Sequence, residues 1–564
     1  MEIKTFFRKN IETLCLTLIL ILFIWKAYPL SNTLTPLDSS DFSAHIFKIN
    51  YISENGLTGW NSYWYGGFPF MKYYPPLSYL IVSSINYFSL YFSYSLMFDI
   101  VWLLIPISIF ILIRTFKIAP IQKSIALLLI SLSPATLVFF RNSNLPFITS
   151  FLFSVLFLAY LKKFTESKAS VLKPIILLTS VLFTHVLMAG FLYISAIIWF
   201  FSYRPSKKNI SRFLTVIIIP ASIASVWYIP FSQGVYSGRE GGLSILSDPI
   251  TYTSFTANQR LTTMGIPKEL FYIFGVFLSL SVLLSLKKFR EKIFAEFFPW
   301  LIVSSILFIL LDYKRISILM IIPIAILASL NNKKRIIDFI IIPTIIFNII
   351  IFSLFTLNFG SATDYPKTGN RAIFYDEEKT CPGCSFYSAY MPQLNGDEII
   401  NGWLPQSQNT NELFQKRGIY FRGIQSPLNL TYKKFNELAN AGMINYIAVS
   451  KNSEQFLDYF KKNPEFKFLK EENGFVIFDA INKSSFIEID GAQIVSSVNK
   501  SGSKISADFK CARGVLTVKE TYDRGWKIKL NSKEIASNAN IYGFIEANIE
   551  KEGQCHLEML YSGF

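Results

Sequence analysis

The chain has 564 residues, of which 51% are hydrophobic, 16% aromatic and only 16% charged. Such an apolar excess excludes a disordered chain and an ordinary soluble enzyme. The net charge of +16 does not indicate a nucleic-acid partner, because the basic residues cluster in short stretches between apolar blocks, as the positive-inside rule produces.

Those blocks suit a hydrocarbon core of ~30 Å, crossed by roughly 20 residues of helix. In chain order they are Ile11–Leu30, Ser95–Phe116, Ser124–Phe140, Pro146–Leu161, Val171–Leu187 and Met188–Phe201, with a turn expected at Met188-Ala189-Gly190. Phe213–Ile229, Glu269–Leu286, Glu296–Leu311, Ile316–Leu330 and Ile336–Leu357 follow, giving about eleven spans across a lipid bilayer. No small-residue cleavage site follows the first block, so the first helix is expected to remain as an anchor. Clusters such as Arg204/Lys207/Lys208 and Lys333/Lys334/Arg335 then all face the cytoplasm. This requires Pro75–Leu90 to lie at the outer interface rather than span. The first loop, 31–94, and everything after residue 358 are placed outside a cell membrane.

The expected fold class is a polytopic α-helical membrane domain, 1–358, followed by an α/β region, 359–483, and a β-sandwich, 484–564. The sandwich rests on short alternating segments such as Gly514–Glu520 and Trp526–Leu530, separated by turn residues. Cys511 and Cys555 fall on separate expected strands and are a reasonable disulfide pair in an external compartment. Cys381-Pro382-Gly383-Cys384 has no second C-x-x-C or nearby histidine to complete a zinc site, and reads as a structural loop or local disulfide. Asn429, Asn482 and Asn499 begin sequons that permit glycosylation.

Candidate chemistry concentrates in the stretch from Asp38 to Leu80. Asp41 and His45 are four apart in a segment of helical character and share a face. A carboxylate beside an imidazole can take the proton of an attacking hydroxyl; the alternative for Asp41 is a helix N-cap. Asp38 is a metal ligand or a loop acid. With Asp41 it gives two candidate ligands for Mg or Mn, too few to define a site. Trp60, Trp64 and Tyr74 either stack on a sugar or form an interfacial aromatic belt. Gly66-Gly67 allows backbone to approach a ligand closely. At the same outer level, Arg141 and Arg315 either bind phosphate or snorkel to head groups. His185 and Tyr228 close helices there, His185 as a site residue or as a cap.

These pieces resemble the GT-C superfamily of membrane glycosyltransferases, which use polyprenyl-phosphate-linked sugars. The matching residues are Asp41 and His45, the loop from Trp60 through Gly66-Gly67-Phe68-Pro69 to Tyr74-Pro75-Pro76-Leu77 and Tyr79, Ser133-Pro134 leading to Arg141, Thr184-His185, Trp227-Tyr228 and Arg315. The segment Gly514 to Trp526 is similar to the terminal sandwich of the same group. The resemblance implies that Asp41 is the catalytic base, with His45 beside it, and that Arg315 and Arg141 hold the donor phosphate. It departs from the group after Arg141, where the run RNSNLPFI lacks the usual acid, and the soluble region has no W-W-D-Y-G block, which speaks against an oligosaccharyltransferase.

The expected function is transfer of one sugar from a polyprenyl-phosphate donor to a glycan, lipid or protein acceptor at the outer face, with inversion. Asp38, Trp60, Trp64, Tyr74, His185 and Tyr228 are the expected substrate contacts. No cofactor is assigned beyond the two-ligand option for a divalent cation. The rival reading is a non-catalytic transporter or scaffold for cell-surface polymers, which should carry its polar groups near the bilayer midplane rather than at the outer rim.

Overall fold

A computed structural model describes residues 2–30, 34–36, 42–64, 66–71, 74–85, 89–141, 144–166, 170–202, 205–233, 300–301, 313–330, 340–354, 359–361, 368, 371–375, 396–400, 427–494 and 496–563.

Helix α1 is Glu2–Trp25, and the segment after it carries strand β1 (Leu34–Pro36), helix α2 (Phe42–Asn55), the hairpin β2 (Trp60–Asn61) and β3 (Phe68–Pro69), and helix α3 (Leu77–Ser84). The bundle continues with α4 (Leu90–Arg114), α5 (Pro120–Ser131), α6 (Pro134–Arg141), α7 (Leu145–Glu166), α8 (Leu172–Leu182), α9 (Val186–Ser202), α10 (Lys207–Gln233), α11 (Tyr313–Ser329) and α12 (Ile342–Leu354). Among the described residues, α4, α7 and α10 are long and apolar enough to cross a membrane, and six shorter helices are apolar. The expected spans Glu269–Leu286 and Glu296–Leu311 lie outside the described residues, apart from Trp300 and Leu301.

Two breaks differ from the sequence expectation. Ser124–Phe140 is not one helix: α5 ends at Ser131 and α6 starts at Pro134. Pro134 has no N–H to continue the ladder, and the Ser133 hydroxyl caps the new helix by accepting from the Thr136 N–H at 3.3 Å. The turn expected at Met188-Ala189-Gly190 instead occupies residues 183–185, because His185 Nδ1 accepts the Met188 N–H at 3.3 Å and starts α9 there. A side-chain acceptor at this position satisfies one orphan donor of the first turn.

Beyond α12, β4 (Phe359–Ser361) pairs antiparallel with β1, so chain leaving the bundle returns to the segment after α1. The next unit is a four-stranded sheet in the order β5 (Ala372–Tyr375), β6 (Tyr446–Ser450), β8 (Phe475–Ala480) and β7 (Phe466–Glu472), with helices α13 (Tyr432–Ala441) and α14 (Glu454–Lys462). Apolar residues Phe456, Tyr459 and Phe460 line one face of α14 and are buried, the period expected of an amphipathic helix.

The last unit is a sandwich of two five-stranded sheets. One sheet contains β9 (Ile487–Ile489), β10 (Ala492–Ile494), β13 (Gly514–Thr521), β16 (Asn538–Ala539) and β17 (Phe544–Ile549). The other contains β11 (Ser497–Ser501), β12 (Lys504–Cys511), β14 (Trp526–Leu530), β15 (Lys533–Glu534) and β18 (Gly553–Tyr561). Strict alternation along β12 and β14 puts Ile505, Ala507, Phe509, Trp526, Ile528 and Leu530 into the core, as period-2 patterning requires. A Cys511–Cys555 disulfide links β12 to β18.

Candidate functional site

The described part of the site is built on one face of α2. His45 and Lys48 are three residues apart, which places them on neighbouring turns of the same face, and both are buried. His45 Nδ1 is 2.8 Å from the Tyr79 hydroxyl, contributed by α3. The Lys48 ammonium lies 4.5 Å from the Tyr74 ring centroid and 5.6 Å from that of Tyr79. The Tyr74 and Tyr79 rings are 5.7 Å apart, and Tyr74 is 6.4 Å from the His45 ring. One imidazole, one ammonium and two phenols therefore share a single cluster at the helix–loop junction.

The loop that carries Tyr74 is clasped by the bundle. The Leu77 N–H donates to the Phe183 carbonyl at 2.8 Å, within the break between α8 and α9. The Trp227 indole donates to the Met71 carbonyl at 3.2 Å, where Met71 holds a positive φ of 55°. The Tyr228 hydroxyl donates to the Leu182 carbonyl at 3.0 Å, and the His185 ring packs edge-on against Phe147, 5.1 Å between centroids. Tyr74, His185, Tyr228 and the start of α7 are thus brought to one end of the bundle.

The first half of the same loop docks elsewhere. Trp60 is fully buried in the sandwich core, its ring 4.8 Å from both Trp526 and Tyr561. Its indole N–H donates to Glu520 Oε1 at 2.6 Å. Trp64 is also fully buried and stacks on Phe47 at 4.4 Å. Neither ring offers a face to a sugar in this structure; their surroundings are protein, and they anchor the loop. Gly67, with φ of 104°, runs so close that a Cβ would collide with Glu520 Oε1 and come within 2.5 Å of Trp60 Nε1. The glycine pair admits a carboxylate of the protein itself, which is a second departure from the ligand approach expected of it.

Around Glu520 lies a buried charge cluster. Arg371 donates to Glu398 Oε2 through Nη2 at 2.8 Å and Nε at 3.0 Å, and to the Lys519 carbonyl at 2.8 Å. Lys500 reaches Glu398 at 2.5 Å and Glu520 at 3.2 Å. Burial pushes the Glu520 carboxyl above the ordinary range. Burial acts the same way on Glu398, but Lys500 and then Arg371 outweigh it and hold that carboxyl low. Opposite charges in low dielectric produce such splits. Nearby, Lys519 pairs with Glu488 at 2.8 Å, while burial lowers the Lys519 ammonium.

Asp38 and Asp41 lie outside the described residues, as do the side chains of Arg141 and Arg315. Among the described residues there is no group of three or more His, Cys, Asp or Glu able to hold a metal ion. Cys381 and Cys384 also lie outside. Three elements escaped the sequence reading. Lys48 follows His45 by three residues on one face of α2, a signal present in the spacing. Asp99, a lone acid in the apolar α4, accepts the Tyr28 N–H at 2.8 Å; an intramembrane acid is itself a flag. The Arg371 cluster joins positions scattered over the chain and leaves no local pattern.

The chain has the fold of the GT-C superfamily. A mutant of arabinofuranosyltransferase AftD from Mycobacteria superposes with a TM-score of 0.54 at 10% identity, covering 98% of this chain and 60% of that one. The oligosaccharyltransferase of Archaeoglobus fulgidus in its apo form gives 0.54 at 12% identity, covering 79% of this chain and 70% of its own. Its complex with an inhibitory peptide and a dolichol-phosphate gives 0.53, at the same identity and coverage. At such identities the similarity is one of fold, and this chain spans about three fifths of the arabinofuranosyltransferase. No curated protein matches the sequence. A family model described as 6-pyruvoyl-tetrahydropterin synthase related domain, membrane protein, matches residues 71–357, slightly over half of the chain, and the protein belongs to that membrane-protein family.

Proposed function

We propose that this protein is an inverting membrane glycosyltransferase that moves one sugar from a polyprenyl-phosphate donor to a glycan, lipid or protein acceptor at the extracytoplasmic face. The observation that carries the reading is the α2 cluster. His45 meets Tyr79, and the chain around Tyr74 is tied to the α8–α9 break through Leu77 and Phe183 and to α10 through Met71 and Trp227. Polar groups from the loop and the bundle then converge at one end of the bundle, where a lipid-borne sugar would lie. The solved relative with a bound dolichol-phosphate supports a lipid-linked donor.

In this mechanism Asp41 takes the proton of the acceptor hydroxyl as its oxygen attacks the anomeric carbon. The bond from that carbon to the phosphate oxygen breaks, and the electron pair leaves with the phosphate. One displacement through an oxocarbenium-like state inverts configuration. Arg315 and Arg141 stabilise the departing anion. His45, oriented by Tyr79, faces the acceptor side, and Tyr74, His185 and Tyr228 orient the sugar. Trp60 and Trp64 act through the loop they anchor. Asp38 and Asp41 would be the ligands of a Mg or Mn ion, and no step requires one. The C-terminal units sit outside the plasma membrane, where the Cys511–Cys555 disulfide suits an oxidising compartment.

Purified protein incubated with a panel of polyprenyl-phosphate sugars tests the proposal, with Asp41→Asn as the control. Transfer by the wild type and its loss in the variant support it. Equal transfer by both removes Asp41 as the base. Cysteine labelling that placed the Trp60 loop in the cytosol would remove the mechanism.

A further inference from the structure

We infer that Asn499 is an attachment site for an N-linked glycan drawn from a lipid-linked oligosaccharide, and that the fold selects it over the sequons at Asn429 and Asn482; the inference rests on the external placement of the C-terminal units in the reading above. Asn499-Lys500-Ser501 ends strand β11. Side chains alternate across a strand, and Lys500 is turned to the inner side, where it meets Glu398 at 2.5 Å and Glu520 at 3.2 Å. That anchor commits Asn499 and Ser501 to the opposite side, and both are exposed. A sequon is defined by its asparagine and by the hydroxyl residue two positions on, so both groups stand on one open face. Among the described residues neither side chain has a hydrogen-bond partner. Asn499 faces Ser506 across the ladder, and Ser497 and Ser501 flank it on the same face, so small side chains border the amide.

The other two sequons are tied into the fold at the hydroxyl. Ser484 is buried and its hydroxyl donates to the Asn440 carbonyl at 3.0 Å, while the Asn482 amide donates to Glu465 at 3.4 Å. Thr431 is the N-cap of α13, its hydroxyl accepting the Lys434 N–H at 3.3 Å; releasing it removes the cap. β11 is also the outermost strand of its sheet, and an edge strand offers one side of its backbone for pairing with another chain. A separate oligosaccharyltransferase can therefore engage 497–501 in the extended form the segment already has. In the transfer the Asn499 amide nitrogen attacks the anomeric carbon of the oligosaccharide. The carbon–nitrogen bond forms as the bond to the lipid phosphate oxygen breaks. The electron pair leaves with the phosphate, and the amide proton passes to a base of the transferring enzyme. The attached glycan covers an open sheet edge that otherwise invites association.

Full-length protein purified from its native membranes tests this, with intact glycopeptides mapped by mass spectrometry. The peptide holding Asn499 should carry the glycan mass, and the peptides holding Asn429 and Asn482 should be bare. Asn499→Gln should lose the whole glycan mass. Ser501→Ala should lose it although the asparagine remains, and Ser501→Thr should keep it. A membrane-impermeant amine reagent applied to intact cells reports the side of the membrane through the exposed Lys527 and Lys529. Bare Asn499 in wild-type protein whose lysines are labelled in intact cells overturns the inference and leaves the external placement standing. Bare Asn499 with those lysines labelled only after lysis overturns both. Glycan at Asn429 or Asn482 at or above the occupancy of Asn499 overturns the selection by the fold.

Discussion

The indole of Trp60 donates to Glu520 across 2.6 Å, and through this bond the loop after α2 is built into the core of the terminal sandwich. The two residues are 460 positions apart. Glu520 in turn faces Arg371 at 3.8 Å and Lys500 at 3.2 Å, so the same loop that carries Tyr74 at its far end is held by the C-terminal units at its near end. Movement of the C-terminal units would therefore be felt at the α2 cluster, which couples a packing feature to the proposed chemistry.

Trp60→Phe keeps most of the ring and leaves a buried Glu520 oxygen without its donor, which should cost about 1–3 kcal/mol. Trp60→Ala also opens a cavity and should cost about 3–5 kcal/mol. The thermal midpoint of the purified protein should fall in that order. Transfer activity should fall with it, while donor binding in the surviving folded fraction changes little. Equal midpoints for the two variants would show that the hydrogen bond, and not the ring, holds the loop.

The charge cluster predicts an asymmetric response to pH. Glu398 is held below its unfolded value by Lys500 and Arg371, so its contribution is present above that value and is lost as pH falls through the folded one. Glu520 is raised by burial, so its contribution is present below its unfolded value and fades as pH rises through the folded one. At neutral pH, Glu398→Gln should therefore destabilise more than Glu520→Gln. Melting series carried from neutral pH to below the ordinary glutamate value should show the Glu398→Gln penalty shrinking only in that acidic range. A constant penalty would sink the assignment.

Gly67 and Gly56 separate two reasons for glycine. Both have positive φ, 104° and 83°, but Gly56 has nothing within 4 Å of a built Cβ whereas Gly67 would strike Glu520 and Trp60. Gly56→Ala should cost about 1 kcal/mol from backbone strain alone. Gly67→Ala should cost several times that, because backbone and a buried carboxylate must move apart. Thermal midpoints of the two variants, compared side by side, measure the steric part directly.

How much of this was legible follows from how local each signal is. The strands β13 and β14 lie close to the segments read from alternation, because Leu516, Val518, Ile528 and Leu530 repeat at the spacing a half-buried sheet demands. The helical character of the segment around His45 could be read for the same reason. The break at Ser133-Pro134 had a signal, a cap residue followed by a proline, that a simple apolar count passes over. The α8–α9 break had a weaker one, since histidine is a modest cap and only contact with Leu77 makes residues 183–185 a junction. No spacing rule links Trp60, Arg371, Glu398, Lys500 and Glu520. Their meeting is a product of tertiary packing, and the aromatic richness that suggested a sugar platform at Trp60 and Trp64 equally describes two core anchors.

The Cys511–Cys555 disulfide closes a separation of 44 residues within the sandwich. Cross-linking a loop of this length restricts the unfolded chain, and its removal should cost about 2–4 kcal/mol. Reductant, or Cys511→Ser combined with Cys555→Ser, should lower the midpoint of the sandwich and leave the α2 cluster chemically intact. Non-reducing mass mapping of the sandwich checks the pairing. Free thiols at both positions in protein kept oxidised would refute it.

Tyr79 is the most direct probe of the proposed site. Its hydroxyl is 2.8 Å from His45 Nδ1, and its ring sits 5.6 Å from the Lys48 ammonium. Tyr79→Phe keeps the ring and its contact with the cation but removes the partner of the imidazole. Loss of one such bond is worth ~1 kcal/mol, about a five- to tenfold effect. If His45 works in the transfer step, that loss should appear in kcat with KM for the donor nearly constant, because an imidazole free to rotate disturbs the transition state more than the bound ground state. If the pair is only a packing contact, the thermal midpoint should drop while kcat of the folded protein stays at the wild-type level. The two outcomes move different observables, so a single preparation of Tyr79→Phe, assayed for melting and for turnover, decides between a positioned imidazole and a buried one.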